Sequence, residues 1–281
     1  MNQPSEQPRI DPQHHSVAPL LEVQGVSVRF AGVMALADIS FHVQPGELFA
    51  VIGPNGAGKT SLFNVLSRVY QPATGRVTFD GQNLLRLRTY QTARAGIARS
   101  FQNLGQFPNT TVLDYLLLGR HTRMRSGILL GGLYVGATYN EERKNRAYCM
   151  KLLSLLGLER YRDALLGSLP YGLQKRADLA RALALEPKLL LLDEPVAGMG
   201  VEETEDIASA ILDVKEQLGV TQILVEHDMA LVMGIADHVL VLDFGRVIAQ
   251  GRPDEVQANP NVIKAYLGED FGVQTPKDVI L

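Results

Sequence analysis

An α/β fold, with a parallel sheet covered on both faces, is what this sequence predicts. Three observations point to it. Apolar strand-like segments alternate with helical ones along much of the chain. Two of these segments, Glu47 to Ile52 and Leu189 to Leu192, are nearly or wholly apolar, as strands buried on both faces are. A glycine-rich loop joins the first of them to a helix.

Taken in order, Met1 to about Pro19 is polar, holds Pro4, Pro8, Pro12 and Pro19, and reads as a flexible tail. His14 and His15 read as a solvated pair rather than a metal site. From Leu20 the pattern becomes β: Leu21, Val23, Val26, Val28 and Phe30 space out apolar side chains, with an irregularity expected at Gly25. Ile39 to Val43 alternates. The loop leads into a helix from Lys59 to about Val69, and Arg76 to Phe79 is a strand closed by Asp80-Gly81. Thr111 to about His121 and Glu141 to Leu156 read as helices; in the second, Arg143, Arg146 and Lys151 lie among Leu152, Leu153, Leu155 and Leu156. Then come a helix Leu173 to Ala184, the strand Leu189 to Leu192 and a helix Glu202 to Leu218. Strand Ile223 to Val225, short helix Met229 to Ala236 and strand Val239 to Leu242 follow. A hairpin-like Val247-Ile248 segment and a helix Val262 to Leu267 close the pattern.

The 281 residues allow one large or two small domains. With 46% hydrophobic and 20% charged residues the chain can bury a core. A net charge of −3 gives no support to whole-surface nucleic-acid binding. The single cysteine, Cys149, excludes an intramolecular disulfide and a multi-cysteine zinc site, and reads as a buried filler on a helix. The longest stretch without Asp, Glu, Lys or Arg, Ser126 to Asn140, has 15 residues and four glycines, too short and broken for a membrane span. The first residues lack the apolar core of a signal peptide. The expectation is a soluble, cytoplasmic-type chain.

Gly53-Pro54-Asn55-Gly56-Ala57-Gly58-Lys59-Thr60 fits the phosphate-binding pattern G-x-x-x-x-G-K-[ST], between a strand and a helix as that pattern requires. Glycines let backbone N–H groups point into one concavity, and the helix N-terminus adds positive potential. Lys59 would reach the β and γ phosphates, the Thr60 hydroxyl would ligand Mg²⁺, and Ser61 would back up a phosphate oxygen. The second part is Leu189-Leu190-Leu191-Leu192-Asp193-Glu194, a buried strand ending in two acids. Asp193 suits Mg²⁺ ligation, direct or through water. Glu194 suits polarising a water for attack on the γ phosphate.

The order of these motifs resembles the ATP-binding subunit of an ABC transporter, over about Leu20 to Gly268. The resemblance implies ATP and Mg²⁺ as cofactors. It also implies a P-loop NTPase cassette of the ABC type with an antiparallel β subdomain and a helical insert, about Gly81 to Leu165, the last residues 269–281 forming a tail. In that family an aromatic ring stacks on adenine 29 residues before the loop lysine, where Phe30 stands. Arg99-Ser100-Phe101-Gln102-Asn103 resembles the glutamine loop, which gives Gln102 a role at Mg²⁺ or water and in coupling to a membrane subunit. His227, in Val225-Glu226-His227-Asp228, resembles the switch histidine that touches the γ phosphate.

Two segments depart from the family. Its signature, usually Leu-Ser-Gly-Gly-Gln, falls on Leu169-Pro170-Tyr171-Gly172-Leu173. Pro170 replaces a serine hydroxyl that would bond the γ phosphate across a dimer, and Leu173 removes a polar side chain; Gln174 stands as a partial substitute. Gly200 lies where the family carries Asp or Asn. Phe101-Gln102-Asn103-Leu104, Leu192-Asp193-Glu194-Pro195 with Ala197-Gly198-Met199, Val225 to Met229 and the ending Val262 to Gly268 resemble one branch, the ATP-binding subunits of branched-chain amino acid importers. Related importers for urea or short amides share these marks.

The resemblance therefore implies an ATPase subunit on the cytoplasmic face of the inner membrane. Its implied partners are transmembrane permease subunits, a second ATP-binding subunit and, indirectly, an extracytoplasmic solute-binding protein, with no nucleic acid. The glycine-rich stretch Gly127 to Ala137 reads either as part of the permease interface or as a packed loop. The altered signature leads to the expectation of a heterodimer, since a homodimer would carry the loss twice. Two other readings stay open: a weakly active regulatory cassette, and a non-transport ABC ATPase.

Overall fold

The computed structural model describes residues 18–30, 32–100, 107–120 and 137–270, the side chains of 137, 138 and 267–270 aside. Most of the two expected tails, the stretch 121–136 and the segment 101–106 with Gln102 therefore lie outside the described residues.

Among the described residues, ten strands form two sheets. The first is antiparallel, ordered β2 (Val33–Val43), β1 (Leu21–Phe30), β4 (Thr74–Phe79), β5 (Gln82–Asn83). In β1, Leu21, Val23, Val26 and Val28 point inward, and the pairing with β2 slips between Val23 and Val26, where Gly25 adopts φ 59°. The strand irregularity expected at Gly25 is thus present. Phe30, at the end of β1, turns out of the core and is 43% exposed.

The second sheet has six strands in the order β10 (Arg246–Gly251), β9 (His238–Asp243), β3 (Leu48–Ile52), β8 (Thr221–Val225), β7 (Leu189–Asp193), β6 (Ile97–Arg99). Neighbours from β9 to β6 are parallel, and β10 pairs antiparallel with β9. Side chains alternate across this sheet with period two. Leu48, Ala50, Ile52, Leu190, Leu192, Leu224, Val239 and Val241 enter one core. Phe49, Val51, Leu189, Leu191, Ile223, Val225, Leu240 and Leu242 enter the other. Each buried leucine contributes roughly 1.5–3 kcal/mol relative to exposure, so strands without polar positions are stable only when covered on both faces.

One face is covered by α3 (Val112–Arg120), α4 (Ala137–Leu155), α5 (Tyr171–Leu183), α6 (Val201–Leu218) and α7 (Met229–Ile235). The other is covered by α1 (Lys59–Leu66) and the antiparallel sheet. The short helix α2 (Thr89–Ala95) and strand β6 were not foreseen in the sequence. Strands β5 and β6 make part of the start of the expected helical insert sheet rather than helix: β5 pairs with β4, and β6 pairs with β7 in the main sheet. Three residues are too few to give β6 a period of their own. Helices α8 (Pro253–Gln257) and α9 (Pro260–Asp270) end the described chain.

A polar network ties the helical layer together. The Tyr115 hydroxyl on α3 donates to Asp178 Oδ1 on α5 at 3.0 Å, and Arg181 Nε donates to the same hydroxyl at 3.1 Å. Arg181 also bridges Asp178 at 2.9 Å. Burial, with Asp178 beside it, pushes the Tyr115 phenol up to about 12. Cys149 on α4 is buried, as expected, and burial pushes its thiol up to about 11.

Candidate functional site

Because β9, β3, β8, β7 and β6 run the same way, their carboxyl ends share one edge of the sheet. Ligands of open parallel α/β sheets bind outside that edge. Here it carries, side by side, the loop after β3, His227 after β8, Asp193 and Glu194 at the end of β7, and Arg99 at the end of β6. Segments separated by more than a hundred residues in sequence are thereby made neighbours.

The loop after β3 can only be built with glycine at two points. A side chain at Gly53, φ 149°, would place its Cβ 2.1 Å from the Leu242 carbonyl oxygen; at Gly58, φ 105°, it would meet the Ala35 oxygen at 2.7 Å. The turn is braced by Ala57 N–H donating to the Pro54 oxygen at 3.1 Å and Gly245 N–H donating to the Ala57 oxygen at 2.9 Å. Helix α1 starts at Lys59 with no side-chain cap, leaving its N-terminal dipole facing the loop. Lys59 is buried, and its ammonium donates to the carbonyl oxygens of Gly53 and, at 3.0 Å, Pro54. Asn55, Gly56 and Thr60 are exposed, while Ser61 is half-buried. This is a backbone concavity of positive potential with a cation folded across it, suited to a polyphosphate.

Asp193 is 2% exposed. Its Oδ2 accepts from Arg99 Nη2 at 2.5 Å, while Oδ1 is buried and finds no hydrogen-bond donor. A buried carboxyl oxygen without a donor fits a hydrated divalent cation. Among the described residues no three His, Cys, Asp or Glu side chains cluster to hold a metal alone. A divalent ion here would therefore draw on phosphate oxygens, as Mg²⁺ commonly does. The Arg99 guanidinium also donates to Asn64 Oδ1 at 2.9 Å and Ser67 Oγ at 3.1 Å on and just beyond α1. It thus joins the helix behind the phosphate loop to the acid of β7. The sequence reading gave Arg99 no role; its place three residues before Gln102 was the available signal.

Glu194 is half-buried at φ 47°, a left-handed backbone uncommon for a residue with a Cβ. Its N–H donates to the Val225 oxygen at 2.9 Å, which fixes it beside the end of β8. His227 is exposed, its side chain retaining 61% of its free surface. Asp228 then caps α7 by accepting from Leu231 N–H at 3.0 Å. Just before His227 in the chain stands Glu226, wholly buried and given no role of its own in the sequence reading. Burial raises the Glu226 carboxyl above its usual range, opposed by backbone donors at Val196 and His227. Phe30 packs edge-on against Tyr70, ring centres 4.8 Å apart, and keeps an exposed face.

The signature segment lies at the start of α5. Leu169 is buried, Pro170 precedes the helix with no side-chain cap, and Tyr171 is 43% exposed. Leu173 packs against the helical core. Gln174 Nε2 donates to the Leu169 oxygen at 2.8 Å, so the amide expected to replace a lost polar group is turned back onto its own chain. A Cβ at Gly172 would come 3.2 Å from Glu203 Oε1, so α5 starts close against α6.

Fold and site together define a P-loop nucleotide hydrolase. The ABC transporter family model matches residues 36–197, and the model for the branched-chain amino acid ATP-binding cassette transporter matches residues 246–272. The chain is 39% identical to the high-affinity branched-chain amino acid transport ATP-binding protein BraF of Pseudomonas aeruginosa, covering 89% of this chain and 98% of that protein. It is 37% identical to LivG of Escherichia coli K12, with the same coverage. Among solved structures, the ADP conformation of MJ1267, an ATP-binding cassette of an ABC transporter, superposes with a TM-score of 0.78 at 30% identity, over 90% of this chain and 100% of that one. The chain belongs to the ABC transporter family, as one of its ATP-binding, ATP-hydrolysing cassettes.

Proposed function

We propose that this chain is the ATPase subunit of an importer for branched-chain or related amino acids. The observation that carries the reading is the alignment of the phosphate loop, Asp193, Glu194 and His227 along one sheet edge. The names of its relatives BraF and LivG supply the substrate class. The cassette would span 20–268 between tails 1–19 and 269–281.

In this reading Gly53, Pro54, Asn55, Gly56, Ala57 and Gly58 wrap the phosphates of ATP with backbone N–H groups. Lys59 neutralises the β and γ phosphates, Ser61 supports a phosphate oxygen, and Phe30 covers the adenine. Thr60, Asp193 and Gln102 would hold Mg²⁺, which supplies charge neutralisation at the phosphates when bound. Glu194 orients and deprotonates the attacking water, and His227 contacts the γ phosphate.

The partners follow from the same reading. Two cassettes close on two ATP molecules, and closure moves permease subunits that receive amino acid from an extracytoplasmic solute-binding protein. Among the described residues no helix is long and apolar enough to cross a membrane, so attachment to the cytoplasmic face would run through the permease. Pro170 and the occupied Gln174 amide favour a heterodimer, in which this chain's phosphate loop forms the competent site.

The test is uptake of labelled leucine by membranes carrying the assembled transporter with wild-type or Glu194→Gln chain. ATP-dependent uptake lost in the variant supports the reading. Wild-type uptake in the variant overturns the hydrolytic role, and no uptake of any branched-chain amino acid by the wild type overturns the substrate class. Removal of the permease should also shift the chain into the soluble cell fraction.

A further inference from the structure

Glu226 connects two loops that the reaction needs held in register. It has no exposed surface. Its Oε1 accepts the N–H of Val196, two residues past Glu194, at 3.1 Å. Its Oε2 accepts the N–H of His227 at 3.1 Å and lies 3.7 Å from the Nδ1 of the same histidine. One carboxylate therefore fastens the loop leaving β7 to the loop leaving β8.

A carboxylate is a costly way to fill space. Its desolvation is unfavourable, and an apolar side chain of similar volume would often pack as well or better. What it supplies instead is two acceptors at fixed separation, satisfying two buried N–H groups on different loops.

We propose that Glu226 is a positioning residue that holds Glu194 and His227 in fixed relation at the γ phosphate. It acts through those two residues and touches no substrate. The proposal rests on the roles given to them above. Both groups follow adjacent parallel strands, and the strand pairing ends at Asp193 and Val225. Beyond that pair the ladder no longer sets the relative position of the two loops. The Glu194 N–H bond to the Val225 oxygen makes one tie across the gap, and the Glu226 carboxylate makes the other.

The experiment compares wild type, Glu226→Gln, His227→Ala, Glu194→Gln and the double variant Glu226→Gln/His227→Ala. ATP affinity is measured on the full chain, and single-turnover hydrolysis on the assembled transporter. Glutamine keeps the shape and one acceptor, but sets an NH₂ group against the second backbone N–H. Glu226→Gln should keep ATP affinity within about twofold while slowing hydrolysis about tenfold, the cost of roughly one misplaced hydrogen-bonded contact. In the His227→Ala background its effect should shrink below about threefold, because residues acting as a unit are not additive. Should the glutamine variant fail to fold, Glu226→Asp, which keeps the charge but falls one methylene short, serves with the same split expected.

Equal losses of affinity and rate, or full additivity with His227→Ala, would reduce Glu226 to a structural brace and overturn the proposal. A wild-type rate in Glu226→Gln would do the same. If His227→Ala and Glu194→Gln themselves hydrolyse at the wild-type rate, the underlying site reading falls instead.

Discussion

The sheet edge and the start of α5 are built on different principles. At the edge, the proposed functional groups on described segments other than Phe30 sit at or just beyond the ends of strands buried on both faces, and backbone and side-chain contacts within the same chain brace most of them. Asp193 is held by Arg99, Glu194 by the Val225 carbonyl, and the phosphate loop by the Gly245 and Pro54 contacts. At the start of α5 the order is reversed. The helix is anchored further along, through Asp178 and Arg181 to Tyr115, while its first residues have no side-chain cap and expose Tyr171. One region carries its chemistry on supports supplied by the same chain. The other presents an uncapped helix end which, in the proposed dimer, faces a phosphate held by another subunit.

This contrast can be broken by experiment, and the largest effect is expected at the edge. Replacing Glu194 by Gln should lower turnover by about 10²–10⁴-fold, the range for loss of a general base. ATP affinity should stay near wild type, since a carboxylate is removed and little else. A Glu194→Gln enzyme with normal turnover would detach hydrolysis from β7. Lys59→Ala should weaken ATP binding about a hundredfold, equal to roughly 2.7 kcal/mol, as charge-assisted bonds to two phosphates disappear. Isothermal titration with ATP checks it, and unchanged affinity would mean that the loop backbone alone holds the nucleotide.

At the helix end a gain is expected rather than a loss. Pro170→Ser restores a hydroxyl and should raise turnover about tenfold in a homodimeric preparation, in proportion to one hydrogen bond to a charged phosphate. In the heterodimer, Glu194→Gln in this chain should cost far more than the matching change in its partner. Equal costs would make the two sites equivalent and the altered signature irrelevant. The smallest effect is expected from Tyr115→Phe, which deletes the hydroxyl between Asp178 and Arg181. A loss of about 1 kcal/mol, or roughly 2–4 °C in melting temperature, should leave ATP affinity untouched. A change in affinity would show that the helical layer and the sheet edge are coupled in the single chain.

Much of the edge is legible in the sequence, because its chemistry is written in contiguous runs. Gly53 to Thr60 needs glycine for backbone reasons that act within eight residues. Leu189 to Glu194 states both burial and charge in a single strand. The irregularity at Gly25 was readable for the same reason: a glycine interrupting a β pattern marks a local break.

What the sequence alone determined, then, was the α/β class, the phosphate loop, the acidic strand end and the histidine after β8, since each depends on residues near one another in the chain. Tertiary structure decided which of them meet. Arg99 reaches Asp193 across 94 positions, and Glu226 reaches Val196 across 30. No local period records such pairs; they exist because β6, β7 and β8 lie adjacent and parallel. The fate of Gln174 was also decided there. Its amide had two possible partners in principle, outside the chain or within it, and the geometry at the start of α5 brought the Leu169 carbonyl within 2.8 Å. A sequence specifies donors and acceptors, but their pairing is settled by distances that only the packed fold creates.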